Sequence, residues 1–210
     1  MKNSSIITLI FLFTATALLG CQSQSSENHR SPAAEKTYTE IRDGLNRDTQ
    51  GNLYFKTRDL SKPTGPEDRF IYVVYSSTFG DTGIKIMTEV VDSMSFKSMN
   101  GLYFTDRNHV YYFTIMHDGG TMRIVDEADS HTFKAFENSL FGVDAKSAFY
   151  RGTRMDGVDI ASFEPIRVIV DGRNVTWYAK DKNSYYDGQD IMSDEEIAEL
   201  EELLTGSDSN

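Results

Sequence analysis

Two short elements alternate along the chain, and their spacing constrains the fold more than any other feature. The first reads small or branched residue, Asp, two variable positions, Ser or Thr, then Phe. It occurs as Val91-Asp92-Ser93-Met94-Ser95-Phe96, Ala128-Asp129-Ser130-His131-Thr132-Phe133 and Val158-Asp159-Ile160-Ala161-Ser162-Phe163, with aspartates 37 and 30 residues apart. The second occurs as Asp106-Arg107-Asn108-His109-Val110-Tyr111-Tyr112, Asp144-Ala145-Lys146-Ser147-Ala148-Phe149-Tyr150 and Asp181-Lys182-Asn183-Ser184-Tyr185-Tyr186, with aspartates 38 and 37 apart and the last copy read as one residue shorter. Elements that march together at such a period describe one supersecondary unit used again and again. A unit of this size cannot bury its own apolar face, so neighbours must stack or extend one sheet.

The residue types within each copy specify a hairpin. Leu102-Tyr103-Phe104-Thr105 runs into Asp106-Arg107-Asn108 and Val110-Tyr111-Tyr112-Phe113 runs out, two aromatic strands around a short polar link. Asp can accept from backbone amides two residues on, and Asn tolerates the left-handed conformation, so the link needs no ligand to explain it. The layout recurs in Trp177-Tyr178-Ala179-Lys180, Asp181-Lys182-Asn183 and Tyr185-Tyr186, while Asp118-Gly119-Gly120, Arg151-Gly152 and Asp187-Gly188 supply a second turn after each outgoing strand. In the first element the Asp is expected to cap a single helical turn and the Phe to enter the core. Ser193-Asp194-Glu195-Glu196 is a capping box, and Ile197, Leu200, Leu203 and Leu204 form an apolar stripe before Gly206, which predicts a helix covering the last repeat. Residues from Pro32 through Leu45 carry weaker helical signals. The fold class that follows is mainly β, repeated antiparallel hairpins joined by short helical turns, with a C-terminal capping helix.

The run Asp-Lys-Asn, then a tyrosine pair, then Asp187-Gly188, resembles the DKNYY family of bacterial repeat proteins, many of them lipoproteins. The resemblance covers about residues 88 to 192 and is strongest at 106 to 112, 128 to 133 and 178 to 189. A weaker echo occurs at Leu53-Tyr54-Phe55-Lys56-Thr57-Arg58-Asp59, whose matching strand, Phe70-Ile71-Tyr72-Val73-Val74-Tyr75, follows an insertion with Pro63 and Pro66. The family name describes a pattern and implies no activity.

The first residues carry a compartment signal. Ile6 to Leu19 is apolar apart from threonines and follows Lys2, too short to span about 30 Å of hydrocarbon as a helix, and so reads as a signal peptide. Leu18-Leu19-Gly20-Cys21 resembles the lipobox of bacterial lipoproteins, which implies cleavage before Cys21 and lipid on its thiol. Mature lipoproteins of that kind carry three acyl chains, enough for lasting attachment where one chain is marginal. Cys21 is the single cysteine of the chain. The polar stretch behind it reads as a tether, and Gln22 in place of Asp implies, by resemblance to enterobacterial sorting, the outer membrane, with the periplasmic face favoured. The expected organisation is a signal peptide (1–20), a tether (21–31), an N-terminal region with a degenerate repeat (32–87), the repeat region (88–192), a helix (193–205) and a tail (206–210).

Composition narrows the partners. Residues 21 to 210 carry 20 basic and 32 acidic side chains, which argues against nucleic acid and leaves attachment to the membrane to the lipid on Cys21. Asp106 with Asn108, and Asp181 with Asn183, look like calcium ligands but lack the glycine and bidentate acid of such a loop. His29, His109, His117 and His131 have no metal-ligand spacing, and no nucleophile or phosphate-loop motif occurs. The sequence therefore points to no cofactor, no metal and no catalytic residue. The candidate interaction surface is the outward half of Tyr103, Tyr111, Tyr112, Tyr178, Tyr185 and Tyr186, since strand alternation sends one of each adjacent pair outward. The leading expectation is a non-enzymatic module that binds an envelope protein, in one form an immunity protein against a basic toxin. A glycan or cell-wall binding module is the alternative, and a hydrolase with an unrecognised carboxylate pair comes last.

Overall fold

The computed structural model describes residues 36–170, 173–175 and 177–207. The signal peptide, Cys21 and the tether lie outside the described residues. From Lys36 onward the chain forms one compact unit, and its core is divided among four-stranded antiparallel meanders.

The first sheet runs β1 (Tyr38–Arg42), β2 (Leu45–Asp48), β3 (Leu53–Asp59) and β4 (Glu67–Ile71) in chain order. The second is larger. After β5 (Val73–Tyr75), β6 (Ile84–Ile86) and the short helix α1 (Met87–Val90), the chain makes the meander β7 (Lys97–Asn100), β8 (Tyr103–Thr105), β9 (Val110–Thr114) and β10 (Thr121–Ile124), and β5 joins β10 in parallel to give the order β6-β5-β10-β9-β8-β7. The third is β11 (Lys134–Ala135), β12 (Phe141–Val143), β13 (Ala148–Tyr150) and β14 (Thr153–Met155). The fourth is interrupted. Its first strand, β15 (Glu164–Pro165), is followed by a separate hairpin, β16 (Val168–Val170) and β17 (Arg173–Val175), before β18 (Tyr178–Lys180), β19 (Tyr185–Asp187) and β20 (Asp190–Ile191) complete the order β15-β18-β19-β20. Helix α2 (Asp194–Ser207) closes the chain.

Successive sheets pack face to face. Leu45 and Phe55 of the first sheet meet Phe96, Phe104 and Tyr111 around the second. Tyr103 and Tyr112, on the other face of the second sheet, meet Phe133 and Phe149 of the third unit. Phe141 and Ala148 then meet Phe163, Ala179 and Tyr186. The outer face of the fourth sheet, with Tyr178 and Tyr185, is covered by Val168 of β16 and by Ile197, Leu200 and Leu204 of α2. The helix thus does what its stripe predicts. Ser193 Oγ accepts from the Glu196 amide at 3.4 Å while Glu196 Oε2 accepts from the Ser193 amide at 2.7 Å. Leu203 departs from the expected stripe and is exposed.

Three expectations are corrected. The segment 38–48 is a β-hairpin rather than a helix, because Asp43-Gly44, with φ of 48° and 80°, is the Asp-Gly pair that a two-residue hairpin turn needs. The third copy of the second element is not shortened. Thr105 pairs with Val110, Val143 with Ala148 and Lys180 with Tyr185, so each hairpin encloses four residues, Tyr186 stands where Tyr111 and Phe149 stand, and Asp187 takes the place of Tyr112 and Tyr150. The tyrosine pair had shifted by one position. The echo near Leu53 is a fourth hairpin, closed by β2 and β3, and the expected strand from Phe70 to Tyr75 is divided at Tyr72 between the first and second sheets.

Candidate functional site

The repeated residues that most resemble a chemical site hold each hairpin shut. In the second sheet's hairpin, Asp106 Oδ1 accepts from the amides of Asn108 and His109, both at 2.8 Å. Its Oδ2 accepts from the Asp92 amide at 2.8 Å and from the Tyr111 hydroxyl at 2.7 Å. Asp144 does the same for the amides of Lys146, Ser147 and Asp129, and Asp181 for those of Asn183, Ser184 and Asp159 and for the Tyr186 hydroxyl. All three aspartates are buried. A carboxylate is the one side chain here with enough lone pairs for four donors, so the residue type follows from the loop. Both oxygens are occupied by protein donors, which assigns the calcium-like look of Asp106 and Asp181 to turn formation. Asn108 and Asn183 are not left-handed; among the described non-glycine residues only Asp43, Glu127, Asn138 and Arg151 have positive φ.

The first element latches to the second. Ser95 Oγ donates to Asp92 Oδ2 at 2.5 Å and accepts from the Arg107 amide at 2.9 Å. Thr132 and Ser162 repeat this with Asp129 and Ala145, and with Asp159 and Lys182. An ion pair reinforces two of the copies, Arg107 with Asp92 at 2.6 Å and Lys182 with Asp159 at 2.7 Å. The Lys of Asp-Lys-Asn therefore reaches back to the preceding element, and Ala145 leaves the middle copy without it. The Ser95 hydroxyl, then the Met94 amide and Arg107, hold the Asp92 carboxyl below its usual range. Burial acts against Asp181, yet the amides of Asp159 and Asn183 and the Tyr186 hydroxyl keep it low as well. Desolvation, with Asp181 next, pushes the Tyr186 hydroxyl up to about 12. Asp48 belongs to the same pattern through a loop one residue longer, accepting from the amides of Gln50 and Asn52 and from the Tyr54 hydroxyl at 3.1 Å.

Tyrosine exposure differs from the expectation. Adjacent tyrosines do point to opposite faces, but both faces of an inner sheet are core, so Tyr103, Tyr111, Tyr112 and Tyr186 are all buried. Tyr178 and Tyr185 are half-buried beneath α2. Tyr103 shows how such a ring is used: its hydroxyl donates to the Leu140 carbonyl at 3.1 Å and accepts from the Gly152 amide at 2.9 Å, tying the second sheet to a turn of the third. The tyrosine set is consequently structural in all but the rims of Tyr178 and Tyr185. Neither Asp181 nor Tyr186 is free for a ligand.

Two surface features that the sequence did not disclose remain. The first is an apolar overhang of the second sheet. The core shared with the third sheet reaches no further than the meander β7 to β10 and the residues following it, so on β5 and β6 Tyr75 and Ile84, opposite each other in the ladder, and Ile86 stand exposed at 38%, 41% and 40%. The second is a groove of about 670 Å³ at the turns that follow β9, β13 and β19, bordered by Tyr112, Arg123, Tyr150, Arg151, Asp187 and Asp190. Gly152 and Gly188 let those turns lie on the preceding unit. A Cβ on Gly152 would come within 2.7 Å of Tyr112 Cβ, and one on Gly188 within 2.9 Å of the Tyr150 ring. Burial, then Glu196 and Asp190, raise the Asp187 carboxyl above its usual range. Among the described residues no group of His, Cys, Asp and Glu is arranged to hold a metal, and no helix is long and apolar enough to cross a membrane.

No curated protein and no solved structure matches the chain. A family model matches residues 120–190, from the last strand of the second meander through the fourth, and so takes in two complete latches. The family whose model matches residues 120–190 is the DKNYY family.

Proposed function

We propose that the chain is a lipid-anchored protein of a bacterial cell envelope whose stacked β domain binds a basic protein partner without catalysis. The observation that carries this reading is the overhang of β5 and β6, an exposed apolar face on a domain of formal net charge −11. Apolar side chains that a folded sheet leaves in water mark a contact surface, and a strongly acidic surround attracts cationic partners and speeds their encounter. β6 is a short edge strand with Lys85 at its centre, which disfavours strand addition and favours docking on the face. Lipid on Cys21 would hold the domain at the outer membrane, the periplasmic side by preference, and neutralising a basic toxin there is one specific form of the function. The glycan-binding alternative has lost most of its stacking surface, since four of its six tyrosines are core.

A photocrosslinking residue placed at Ile84 in cells tests this directly. The expected result is an adduct with a basic protein that weakens at high salt and is lost in Tyr75→Ser/Ile86→Asp, both exposed positions. An adduct that persists in that double variant, or labelling of lipid alone, refutes the assignment.

A further inference from the structure

The groove at the turns brings together charges that form no ion pair among the described residues. Tyr112, Tyr150 and Asp187 are the same strand position in three successive units, so the acid in the fourth unit converts a tyrosine row into a row with one anionic end. Asp190 lies opposite Asp187 in the ladder and adds to that end. At the other end the Arg123 guanidinium lies 5.8 Å from the centre of the Tyr112 ring and that of Arg151 5.4 Å from the Tyr150 ring. Arg123 Nη2 holds the turn by donating to the Arg151 carbonyl and to Thr153 Oγ1, while its Nε has no hydrogen-bond partner. Among the described residues neither arginine forms an ion pair, and neither do Asp187 and Asp190. Two cations and two anions thus border one cavity without neutralising each other. In a chain with so many acids, unpaired arginines fixed over aromatic rings are pre-set for an anionic group.

We propose that this groove binds the free ends of a short peptide, the carboxylate on Arg123 and Arg151 and the ammonium on Asp187 and Asp190. Its size suits such a ligand, since small-molecule sites run from about 300 to 1,000 Å³. Guanidinium and carboxylate form short, charge-assisted bonds in a fork geometry, and an ammonium can donate to several acceptors at once. Thr114 and Thr153 on the lining offer hydroxyls to the peptide backbone between the two ends. The site is separate from the overhang and does not depend on it.

Calorimetry on the full-length chain in detergent micelles, titrated with trialanine, N-acetyl-trialanine and trialanine amide, decides the matter. Trialanine is expected to bind, and capping either end to weaken binding by roughly tenfold or more, about 1.4 kcal/mol per decade. In Arg151→Asn, which suits the left-handed φ of 48° at that position, amidation of the peptide no longer matters; in Asp187→Asn, acetylation no longer matters. The capped peptides are informative even if a variant misfolds. No heat at millimolar trialanine, or equal binding of all three peptides, overturns the proposal.

Discussion

Replacing Asp106 by Asn tests whether the repeated aspartate is a structural acceptor, because the substitution keeps shape and removes only charge and one acceptor. Each carboxylate oxygen receives two donors, the amides of Asn108 and His109 on one and the Asp92 amide and Tyr111 hydroxyl on the other. Whichever way the new amide turns, its NH₂ faces two of them. The less costly orientation puts NH₂ toward Tyr111, whose hydroxyl can rotate to accept, and leaves the Asp92 amide unmet. One lost charge-assisted bond is worth about 1.5–3 kcal/mol, and a buried orphan donor adds to it, so a loss of about 2–4 kcal/mol is expected. For a domain of this size that is on the order of 5–15 °C in Tm. Tyr111→Phe is the internal control. The third unit already carries Phe149 at that position, so a cost of about 1 kcal/mol is expected. Urea denaturation of the two variants measures both. A loss below about 0.5 kcal/mol for Asp106→Asn, within the range of a surface change, or a larger loss for Tyr111→Phe, would refute the assignment.

Gly152→Ala and Gly157→Ala share a left-handed φ of 71° and 74°, but only the first meets a neighbour; Gly157→Ala should cost about 1–2 kcal/mol by backbone strain and Gly152→Ala clearly more, as read by thermal denaturation. Leu200→Ala at the centre of the α2 contact should destabilise by about 2–5 kcal/mol, whereas Ser193→Ala should remove about 0.5–2 kcal/mol through its cap; equal losses would argue against α2 as a cover. Asp92, Asp129, Asp159 and Asp181 are all held below the usual carboxylate range, so their contribution is present above about pH 3.9 and disappears as acid titrates the folded state. Asp187 has the opposite sign, its contribution being lost as pH rises, and Asp187→Asn should raise Tm at neutral pH, a shift that a pH series of melting curves would show. Cys21→Ala should abolish fatty-acid labelling, and a processed variant still retained on membranes would show that another feature anchors the chain.

The hairpins, the second turns and the terminal helix were legible because each is set by local chemistry: an Asp with amides two and three residues on, a glycine where φ is positive, a Ser-x-x-Glu box. Exposure was not legible in the same way. Tyr111 and Tyr112 alternate as any strand does, but whether the far face meets water depends on Phe133 and Phe149, more than twenty residues away, landing on it. An unbroken aromatic run such as Val110-Tyr111-Tyr112-Phe113 is itself the sign of a strand covered on both sides. The hairpin at Asp43-Gly44 carried a strong local signal, an Asp-Gly pair whose two residues both take positive φ. Register in the fourth unit misled because tyrosines were matched to tyrosines; the hydroxyl donor at the fifth position after the Asp is what identifies Tyr186 with Tyr111. The groove and the overhang arise from side chains on different units and have no contiguous signature.

Amide hydrogen exchange by NMR tests the latch most directly. The loop amides of Asn108, His109, Lys146, Ser147, Asn183 and Ser184 should be protected to the same degree as the strands beside them, since each donates to a buried carboxylate. Exchange at the rate of open loops, with the flanking strands still protected, would contradict the account.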